Sequence, residues 1–453
     1  MSDTPLSKAD LIKAGVTTLF GAYVDINGVP KSKAVPINHF DDYVRGSELY
    51  TVGALEGMGE LGPNEDECVG MPDLRSLTIL PWDQRYAVAA ADLLFAGEPY
   101  DHDSRWVLKR QMEIAKDAGY IMNMGVEPEV YVLREIDGDW VPFVSEDLNN
   151  APTSGYDLEH TMLADSFLAP MVESIDALGW DVYSFDHEGG DGQYEFDFGY
   201  TDALAMADRM VIFRLMAKHV ARSIGCIVSF MPKPWSDAFG SGAHLNVSLA
   251  DIETGENLFQ APEGTQSRAG AGYSSLAYHF TAGVLKHTGA ITAVVCPTTN
   301  SYKRMEPYGR MDEMSWAPVY RAYGHNNRTL IARLPMSRRC LEVRQADSAC
   351  NFYLGTAMVL AAGLEGIRDQ LEPGEAVEYN TYDFSEEALA ERGVERLPRT
   401  FGQALDDFES SDLAKAVFGD AFHATYLKYK RSEWRDYCLD VSQWERQKYL
   451  KLW

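Results

Sequence analysis

The fold is decided by the stretch Gly240-Ser-Gly-Ala-His-Leu-Asn-Val-Ser-Leu249, in which polar and apolar residues alternate. Its polar members are His244, Asn246 and Ser248, and apolar residues fill the positions between them. Because successive side chains of a strand point to opposite faces, this alternation predicts a half-buried β-strand with one polar face. A histidine on such a face is a candidate ligand or base.

Three further segments carry charged side chains that a strand or a tight turn would direct to one side. They are Glu127-Pro-Glu129, His187-Glu-Gly-Gly-Asp-Gly-Gln-Tyr-Glu195 and Leu341-Glu-Val-Arg344. Each segment alone is equally typical of an amphipathic strand with a solvated face. Together with His244 they would bring five glutamates and one histidine to the same side of a sheet. That donor set suits Mg²⁺ or Mn²⁺ better than Zn²⁺, which takes more His or Cys ligands.

Residues 303–344 carry a net positive charge, although the chain as a whole is strongly negative. They contain eight arginines, one lysine and four acids, whereas the whole chain has 40 basic and 68 acidic residues and a net charge of −28. A solvated basic face is one interpretation. Clustered guanidinium groups beside a divalent-metal site favour another, the handling of phosphate and carboxylate groups. No GxxxxGK[ST] loop is present, and the GxGxxG match at residues 57–62 lies in an irregular glycine-rich stretch that does not open a helical pattern, so a P-loop or dinucleotide-binding site is not predicted.

Composition excludes several classes of protein. Apolar residues make up 46% and charged residues 24% of the chain, which is ordinary for a globular protein. The strong negative charge makes nucleic acid and anionic membrane surfaces poor partners. No apolar run approaches the roughly 18–20 residues of a spanning helix, and no signal-peptide core is seen. Six cysteines without CxxC pairs suit free thiols, so we expect a cytoplasmic protein.

The chain divides into two parts by pattern. Residues 1–102 read as a small β-rich unit, with strands at Thr17–Val24 and Pro30–Pro36 and a long irregular loop at Val52–Met71. Residues 103–453 alternate helical and strand patterns, including helices at Ser104–Ala118 and Asn351–Asp369. The predicted class is therefore α+β with two domains, 1–102 and 103–453.

At these motifs the sequence resembles the glutamine synthetase superfamily. The resemblance covers nearly the whole chain and rests on Val126-Glu-Pro-Glu129, Phe230-Met-Pro-Lys-Pro234, Gly240-Ser-Gly-Ala-His244, Pro297-Thr-Thr-Asn-Ser-Tyr-Lys-Arg304, Asn327-Arg328 and Leu341-Glu-Val-Arg344. It implies an N-terminal β-grasp domain and a catalytic domain built on a curved antiparallel sheet. It also implies a homododecamer of two stacked hexameric rings, with active sites between neighbouring subunits.

The resemblance also implies roles for particular residues. One metal would be held by Glu129, Glu188 and Glu195, and the metal nearest the nucleotide phosphates by Glu127, His244 and Glu342. Arg304 and Arg344 resemble the arginines that hold glutamate and the transferring phosphoryl group. Phosphate charge and ATP would be met by Arg328, Arg333, Ser248, Arg338 and Arg339, and Gly240 would contact the amino end of glutamate.

The implied chemistry is an ATP-dependent ligation. The γ-carboxylate of glutamate attacks ATP to give γ-glutamyl phosphate, and an amine then displaces phosphate to form an amide. Mg²⁺ or Mn²⁺ and the arginines would neutralise charge in the first step, and the second step needs a deprotonated amine.

The sequence departs from the family where ammonium would bind. Val52 falls at the position of an aspartate that helps bind ammonium, and Trp316 at the position of a glutamate that closes the site. Tyr156 matches a tyrosine that lines the ammonium pocket, and Glu313 could act as a replacement base. Loss of two carboxylates penalises ammonium, whereas apolar and aromatic surface favours an alkylammonium ion.

The loop Ser315-Trp-Ala-Pro318 also resembles the branch of the family that makes γ-glutamylmethylamide. Methylamine is therefore the expected amine. The alternatives are a divergent glutamine synthetase that uses ammonium, a ligase for a larger amine such as putrescine or ethanolamine, and an inactive family member that serves as a scaffold or sensor. Tyr382 falls where some bacterial relatives are adenylylated, although a tyrosine on a loop is more often structural.

Overall fold

The computed structural model describes residues 5–144, 155–264, 268–306 and 316–453. Its helices are α1 (Lys8–Lys13), α2 (Phe40–Tyr43), α3 (Ser104–Asp117), α4 (Leu158–Leu163), α5 (Asp165–Ala177), α6 (Ala203–Ser223), α7 (Ser275–Lys286), α8 (Thr288–Val295), α9 (Ser301–Arg304), α10 (Phe352–Arg368), α11 (Glu386–Ala390), α12 (Phe401–Ser410), α13 (Asp412–Phe418), α14 (Asp420–Leu439) and α15 (Gln443–Tyr449). Short 3-10 helices lie at Ile37–His39, Val52–Ala54, Leu74–Ser76, Arg268–Gly270 and Thr381–Asp383.

The strands fall into two sheets. The first contains β1 (Thr18–Val24), β2 (Pro30–Lys31), β3 (Ala34–Pro36), β4 (Glu48–Tyr50), β5 (Cys68–Pro72), β6 (Thr78–Ile79), β7 (Tyr86–Phe95) and β8 (Glu98–Pro99). The second contains β9 (Tyr120–Ile136), β10 (Asp139–Pro142), β11 (Val182–His187), β12 (Gln193–Phe198), β13 (Thr201–Asp202), β14 (Ile227–Ser229), β15 (Ala243–Asp251), β16 (Tyr320–Gly324), β17 (Leu330–Arg333), β18 (Leu341–Val343) and β19 (Glu395–Arg396).

The first sheet has the order β2-β1-β7-β5-β4, with β1 and β7 parallel and the other pairs antiparallel. A hairpin turn forms at Asp25-Ile-Asn-Gly28, where the amide of Gly28 donates to the carbonyl of Asp25 at 2.8 Å. Gly28 has φ +74°, a backbone conformation that glycine adopts without strain. β1 therefore reverses directly into β2.

The second sheet runs β11-β12-β9-β15-β18-β17-β16-β19. It is antiparallel apart from the β16–β17 pair. β9 is its longest strand and also pairs with β10, β13 and β14. The predicted α+β class and the glutamine synthetase fold with its mainly antiparallel catalytic sheet are confirmed by this topology and by the structural comparisons given below.

Helices cover one side of the second sheet. α10 packs against α7 and α3 and begins after Asn351, whose side-chain oxygen accepts from the amide of Tyr353. α10 approaches α7 so closely that a Cβ atom on Gly366 would lie 2.1 Å from the carbonyl oxygen of His279. Glycine is required at that crossing because any larger residue would separate the helices.

A buried arginine joins the two sheets. Arg105, on α3, is 2% exposed and forms ion pairs with Asp73 and Asp92 of the first unit and with Asp208 of α6, at 2.9, 2.7 and 2.9 Å. Some apolar residues of β1, such as Val24, pack in the same core as the second sheet. The division at residue 102 therefore stays a prediction. Among the described residues, no helix is both long and apolar enough to cross a membrane.

Candidate active site

The register of the second sheet brings the acidic side chains together. On β9, Glu127 and Glu129 lie two residues apart and so share a face. Glu129 is directly opposite Glu195 of β12, and Glu127 is opposite His244 of β15. On the far side of β15, Glu342 of β18 pairs with Asn246. Four adjacent strands therefore present one continuous face of carboxylates around a single imidazole.

The first group of donors is Glu127, His244 and Glu342, whose ligand atoms lie within 4.8 Å of one another. Nδ1 of His244 is 3.2 Å from Oε2 of Glu127 and 3.8 Å from Oε1 of Glu342. Burial and the nearby Arg344 lower the pKa of His244, so its imidazole is neutral at pH 7. Burial opposes ionisation of Glu127, but His244 and Arg338 outweigh it and hold the pKa below its usual value.

The second predicted group is Glu129, Glu188 and Glu195. Carboxylate oxygens of Glu129 and Glu195 lie within 4.8 Å of each other and of a ring nitrogen of His244, and Glu188 lines the same cavity. Burial and the neighbouring Glu129 and Asp186 raise the pKa of Glu188 to about 7, and burial with the same kind of repulsion raises the pKa of Glu195 well above its ordinary value. Among the described residues, no lysine, arginine or histidine forms an ion pair within 4.0 Å of these three carboxylates.

These two donor sets fit divalent cations. Buried carboxylates without a basic partner are costly, and a cation among them removes both the burial penalty and the mutual repulsion. Oxygen ligands with one neutral imidazole match Mg²⁺ or Mn²⁺.

The two groups open into one cavity of about 680 Å³. Its lining includes most of the side chains predicted from the sequence: Glu127, Glu129, Tyr156, Glu188, Glu195, Gly240, His244, Arg304, Trp316, Arg328, Arg333, Arg338, Glu342 and Arg344. Another pocket, between the first sheet and α6, contains none of these acidic donors. We therefore place the chemistry in the cavity that holds the carboxylates.

The arginines of the cavity are of two kinds. Arg333 and Arg344 both donate to Glu342, the former at 2.7 Å, and Arg338 donates to Glu127 at 2.8 Å. Arg304 is different, because its guanidinium group donates to the backbone carbonyls of Gln345 and Arg344, at 2.9 and 3.2 Å. Among the described residues it has no carboxylate partner within 4.0 Å, so it is oriented and charged but not neutralised.

Gly242 allows this close packing. A Cβ atom at this position would lie 2.8 Å from both a terminal nitrogen of Arg304 and Oε1 of Glu129. The Gly242 amide also donates to Oε2 of Glu129 at 2.8 Å. A larger residue would displace the arginine or the carboxylate.

Three of the predicted residues lie away from the cavity lining, and a fourth is not among the described residues. Arg339 packs over the ring of Tyr273 and donates to the carbonyl of Gly272. Ser248 lies on β15 beyond the cavity lining, opposite Asn123. Val52 is completely buried in a cluster of its own N-terminal sheet, so within one chain it does not line the cavity. Glu313 lies outside the described residues.

Two aromatic residues stand at the mouth of the cavity. Tyr156 and Trp316 are 78% and 51% exposed and have φ values of +64° and +54°. Positive φ is uncommon for bulky residues and is concentrated at functional sites. The ring of Phe239 adds a third aromatic wall, lying so close to Gly189 that a Cβ there would be 2.9 Å away.

Sequence reasoning missed three residues of this site. Gln193 donates to Oε2 of Glu129 at 3.0 Å, and Asn246 donates to Oε1 of Glu127 at 2.9 Å. The polar alternation of residues 240–249 contained the signal for Asn246, since this residue shares a face with His244. No local pattern indicated Phe239, because its neighbour Gly189 is distant in sequence.

Comparison with known proteins agrees with this geometry. A family model described as the catalytic domain of glutamine synthetase matches residues 101–449. The chain therefore belongs to the glutamine synthetase family, as the sequence motifs predicted.

The relatives refine the picture within the family. The chain is 37% identical to the glutamate–methylamine ligase of Methyloversatilis universalis over 437 residues, covering 96% of each protein. It is 33% identical to a glutamine synthetase of Rhizobium leguminosarum bv. phaseoli over 431 residues, covering 95% of this chain and 96% of that protein.

Two solved structures match over almost the whole chain. A structure described as a GmaS/ADP complex in conformation 1 matches with a TM-score of 0.89 at 32% identity, covering 99% of this chain and all of that one. Apo GmaS without ligand matches with a TM-score of 0.87 at 32% identity, covering 98% and 99% of the two chains.

Proposed function

We propose that this protein is an ATP-dependent ligase that joins the γ-carboxylate of glutamate to methylamine through γ-glutamyl phosphate. The observation that carries the proposal is the single cavity in which two acidic donor groups, Arg304 held by backbone carbonyls and an exposed Trp316 converge. The similarity to glutamate–methylamine ligase over almost the full chain supports it. The products would be γ-glutamylmethylamide, ADP and phosphate.

The acidic groups are proposed to hold Mg²⁺ or Mn²⁺, Glu129, Glu188 and Glu195 one ion and Glu127, His244 and Glu342 the other. When bound, the ions would supply positive charge beside the phosphates of ATP. Asn246 and Gln193 fix the orientation of two of these carboxylates through their amide groups.

The arginines are proposed to bind the anionic parts of the substrates. Arg304, held by two carbonyls, would receive a carboxylate or phosphoryl oxygen without first breaking an ion pair. Arg344 would act beside it, with Gly240 at the amino end of glutamate. Arg328, Arg333 and Arg338 would stabilise phosphate charge. For Ser248 and Arg339, contact with ATP remains a proposal from the family resemblance alone.

The amine is proposed to bind at the aromatic end of the cavity. Tyr156 and Trp316 offer apolar surface and ring faces, which attract an alkylammonium ion, and Glu188 lies beside them in the lining. Once deprotonated, methylamine would attack the acyl phosphate. Glu313 is proposed as the base, and Val52 would shape this end only indirectly, through the loop that it anchors.

The assembly is proposed to be a dodecamer of two stacked hexamers. Among the described residues, β4 and β11 each have a strand partner on one side only. Leu49 on β4 and Tyr183 and Phe185 on β11 are exposed. A neighbouring copy that joins β4 to β11 would cover these residues and place the N-terminal sheet beside the cavity. Further apolar surface lies at the C-terminal end, at Leu439, Val441, Leu450, Leu452 and Trp453.

A reducing compartment is consistent with the cysteines. All six are free thiols, and five of them are buried. We propose a cytoplasmic enzyme, with residues 1–102 and 103–453 as its two domains.

The deciding experiment is phosphate release from ATP and glutamate with a panel of amines. Ammonium, methylamine, ethylamine, ethanolamine and putrescine would each be supplied over a range of concentrations, and the amide product identified by mass spectrometry. The proposal requires methylamine to give the highest kcat/KM. Equal use of ammonium would instead identify a glutamine synthetase, and a preference for putrescine would indicate a larger pocket.

A further inference from the structure

A buried tyrosine contacts the segment that carries Trp316. Tyr382 lies in the 3-10 turn Thr381–Asp383 and is 8% exposed. Its hydroxyl donates to the carbonyl of Ala317 at 2.6 Å. Ala317 is also buried and follows Trp316 directly, and both line the cavity. Among the described residues, no other donor reaches the Ala317 carbonyl.

The same turn holds a second segment of the site. The hydroxyl of Thr381 donates to that of Thr329 at 2.7 Å, and Thr329 donates to the side chain of Asn327 at 2.7 Å. Arg328, which lies between these two residues, lines the cavity. The 3-10 turn Thr381–Asp383 lies outside the cavity. It therefore fixes the backbone of two segments that line the aromatic end of the cavity, one at Ala317 and one at Arg328.

Trp316 needs such a restraint. Its φ of +54° is unfavourable for a bulky side chain and persists only when the surroundings enforce it. The bond from Tyr382 fixes the peptide next to this strained residue. Loss of the hydroxyl would leave the Ala317 carbonyl buried without a donor, and a shift of the segment would relieve that cost. The indole ring would move with it.

We infer that Tyr382 is a positioning residue for amine recognition, which acts by fixing Trp316, and that its hydroxyl is not a site of modification. The inference rests on the proposed function for the identity of the amine. The geometric part, the anchoring of the segment beside the cavity, concerns whichever amine the enzyme uses.

The test is Tyr382→Phe, which keeps the ring and removes only the hydroxyl. We expect KM for methylamine to rise about tenfold, with KM for ATP and for glutamate unchanged within about twofold. The matched control is Tyr426→Phe. The Tyr426 hydroxyl is also buried and donates to a backbone carbonyl, that of Ala293, at 2.9 Å. The residue four positions after Ala293 is Pro297, which has no N–H, so the control loses a comparable bond away from the cavity.

Both variants should lose similar thermal stability, but only Tyr382→Phe should change the KM for the amine. In a Trp316→Ala background, Tyr382→Phe should have no further effect on that KM, because its effect passes through the indole ring. Equal changes in the KM of all three substrates, no change in the KM of the amine, or full additivity with Trp316→Ala would each overturn the inference.

The two proposals fail separately. If the wild-type enzyme prefers another amine, the proposed function is wrong, and the same comparison of Tyr382 and Tyr426 variants is made with that amine. If methylamine is preferred and Tyr382→Phe behaves like Tyr426→Phe, only the inference is wrong.

Discussion

The amide nitrogen of Gln193 lies 3.0 Å from Oε2 of Glu129 and donates a hydrogen bond to it. The backbone amide of Gly242 donates to the same oxygen. Burial raises the pKa of Glu129, although Arg304 and the Gly242 amide oppose that rise. Two neutral donors thus fix the carboxylate in place while leaving its negative charge available to a cation.

This arrangement predicts a graded loss of metal binding. Glu129→Ala and Glu342→Ala each remove a proposed ligand and should lower activity by more than about 100-fold, whereas Gln193→Leu should cost about 10–100-fold. Titration of the ATP-free protein with Mn²⁺ gives a second readout. Glu365→Ala is the control, since Glu365 pairs with Lys286 and His287 away from the cavity. Unchanged Mn²⁺ affinity in Glu129→Ala and Glu342→Ala would reject the ligand assignment.

Selectivity for the amine should reside in Trp316 and not in Val52. One methyl group in a fitted pocket is worth about 10–200-fold, so methylamine should exceed ammonium by at least about tenfold in kcat/KM. Trp316→Glu should move that ratio towards ammonium. Val52→Asp buries a carboxylate in an apolar cluster and should lower stability instead.

Steady-state kinetics and thermal unfolding of the two single variants separate these effects. A stable Val52→Asp variant with altered selectivity would mean that Val52 reaches the amine, and the burial argument would then be wrong.

Arg105 should be a major source of stability. Arg105→Met leaves three carboxylates without their buried partner, so unfolding free energy should fall by about 3–5 kcal/mol. The neighbouring Arg75 also contacts Asp73 but is mostly exposed, and Arg75→Met should cost less than about 1 kcal/mol. Denaturant titration at one fixed protein concentration makes the comparison. Similar losses in the free energy of unfolding of the two variants would show that the buried ion pairs contribute no more stability than the exposed one.

Acid should destabilise the protein through His160. Burial and the stacked His187 lower the pKa of His160 to about 4, so the unfolded chain binds this proton more readily. Stability from His160 is therefore complete above about pH 6.5 and decreases as the pH falls towards 4, by about 3 kcal/mol in total. His160→Gln should flatten the dependence in this window. An unchanged slope in the variant would assign the acid sensitivity to other groups.

The native particle should be large. Twelve chains of 50.5 kDa form a particle of about 600 kDa. Light scattering coupled to an activity assay measures this directly. Phe185→Lys, on the exposed edge strand β11, should dissociate the particle and lower activity with it. Full activity in a species near 50 kDa would exclude a site shared between subunits.

Local signals predicted the strand β1 and the helices α3 and α10 within one or two residues. Asn351 marks the start of α10 and Asp103 the start of α3, because an N-cap acts on amides only two or three residues away. The segment Glu127-Pro-Glu129 predicted a strand around these residues, whereas β9 extends well beyond it, from Tyr120 to Ile136. Its added length depends on strands that are distant in sequence and pair with its two ends, and no local pattern contains that information.

The residues of the site divide in the same way, into those that local sequence signals predict and those that depend on long-range contacts. The acidic donors were predictable, since their spacing on strands is a local property. The burial of Val52 and the packing of Arg339 over Tyr273 depend on contacts between distant segments. Family resemblance assigned these residues by aligned position, which does not specify the direction of a side chain.

The acidic side and the aromatic end of the cavity are built from different kinds of structure, and this difference has an evolutionary consequence. Apart from Glu188, which follows β11, the carboxylates lie on paired strands, where a shift of one residue would turn these ligands to the opposite face. Tyr156, Phe239 and Trp316 lie on connecting segments, outside any ladder of backbone hydrogen bonds. A change of amine therefore needs only substitutions in loops, while the phosphoryl-transfer machinery stays intact. Descendants of such an enzyme can acquire new nucleophiles without losing the ability to activate glutamate.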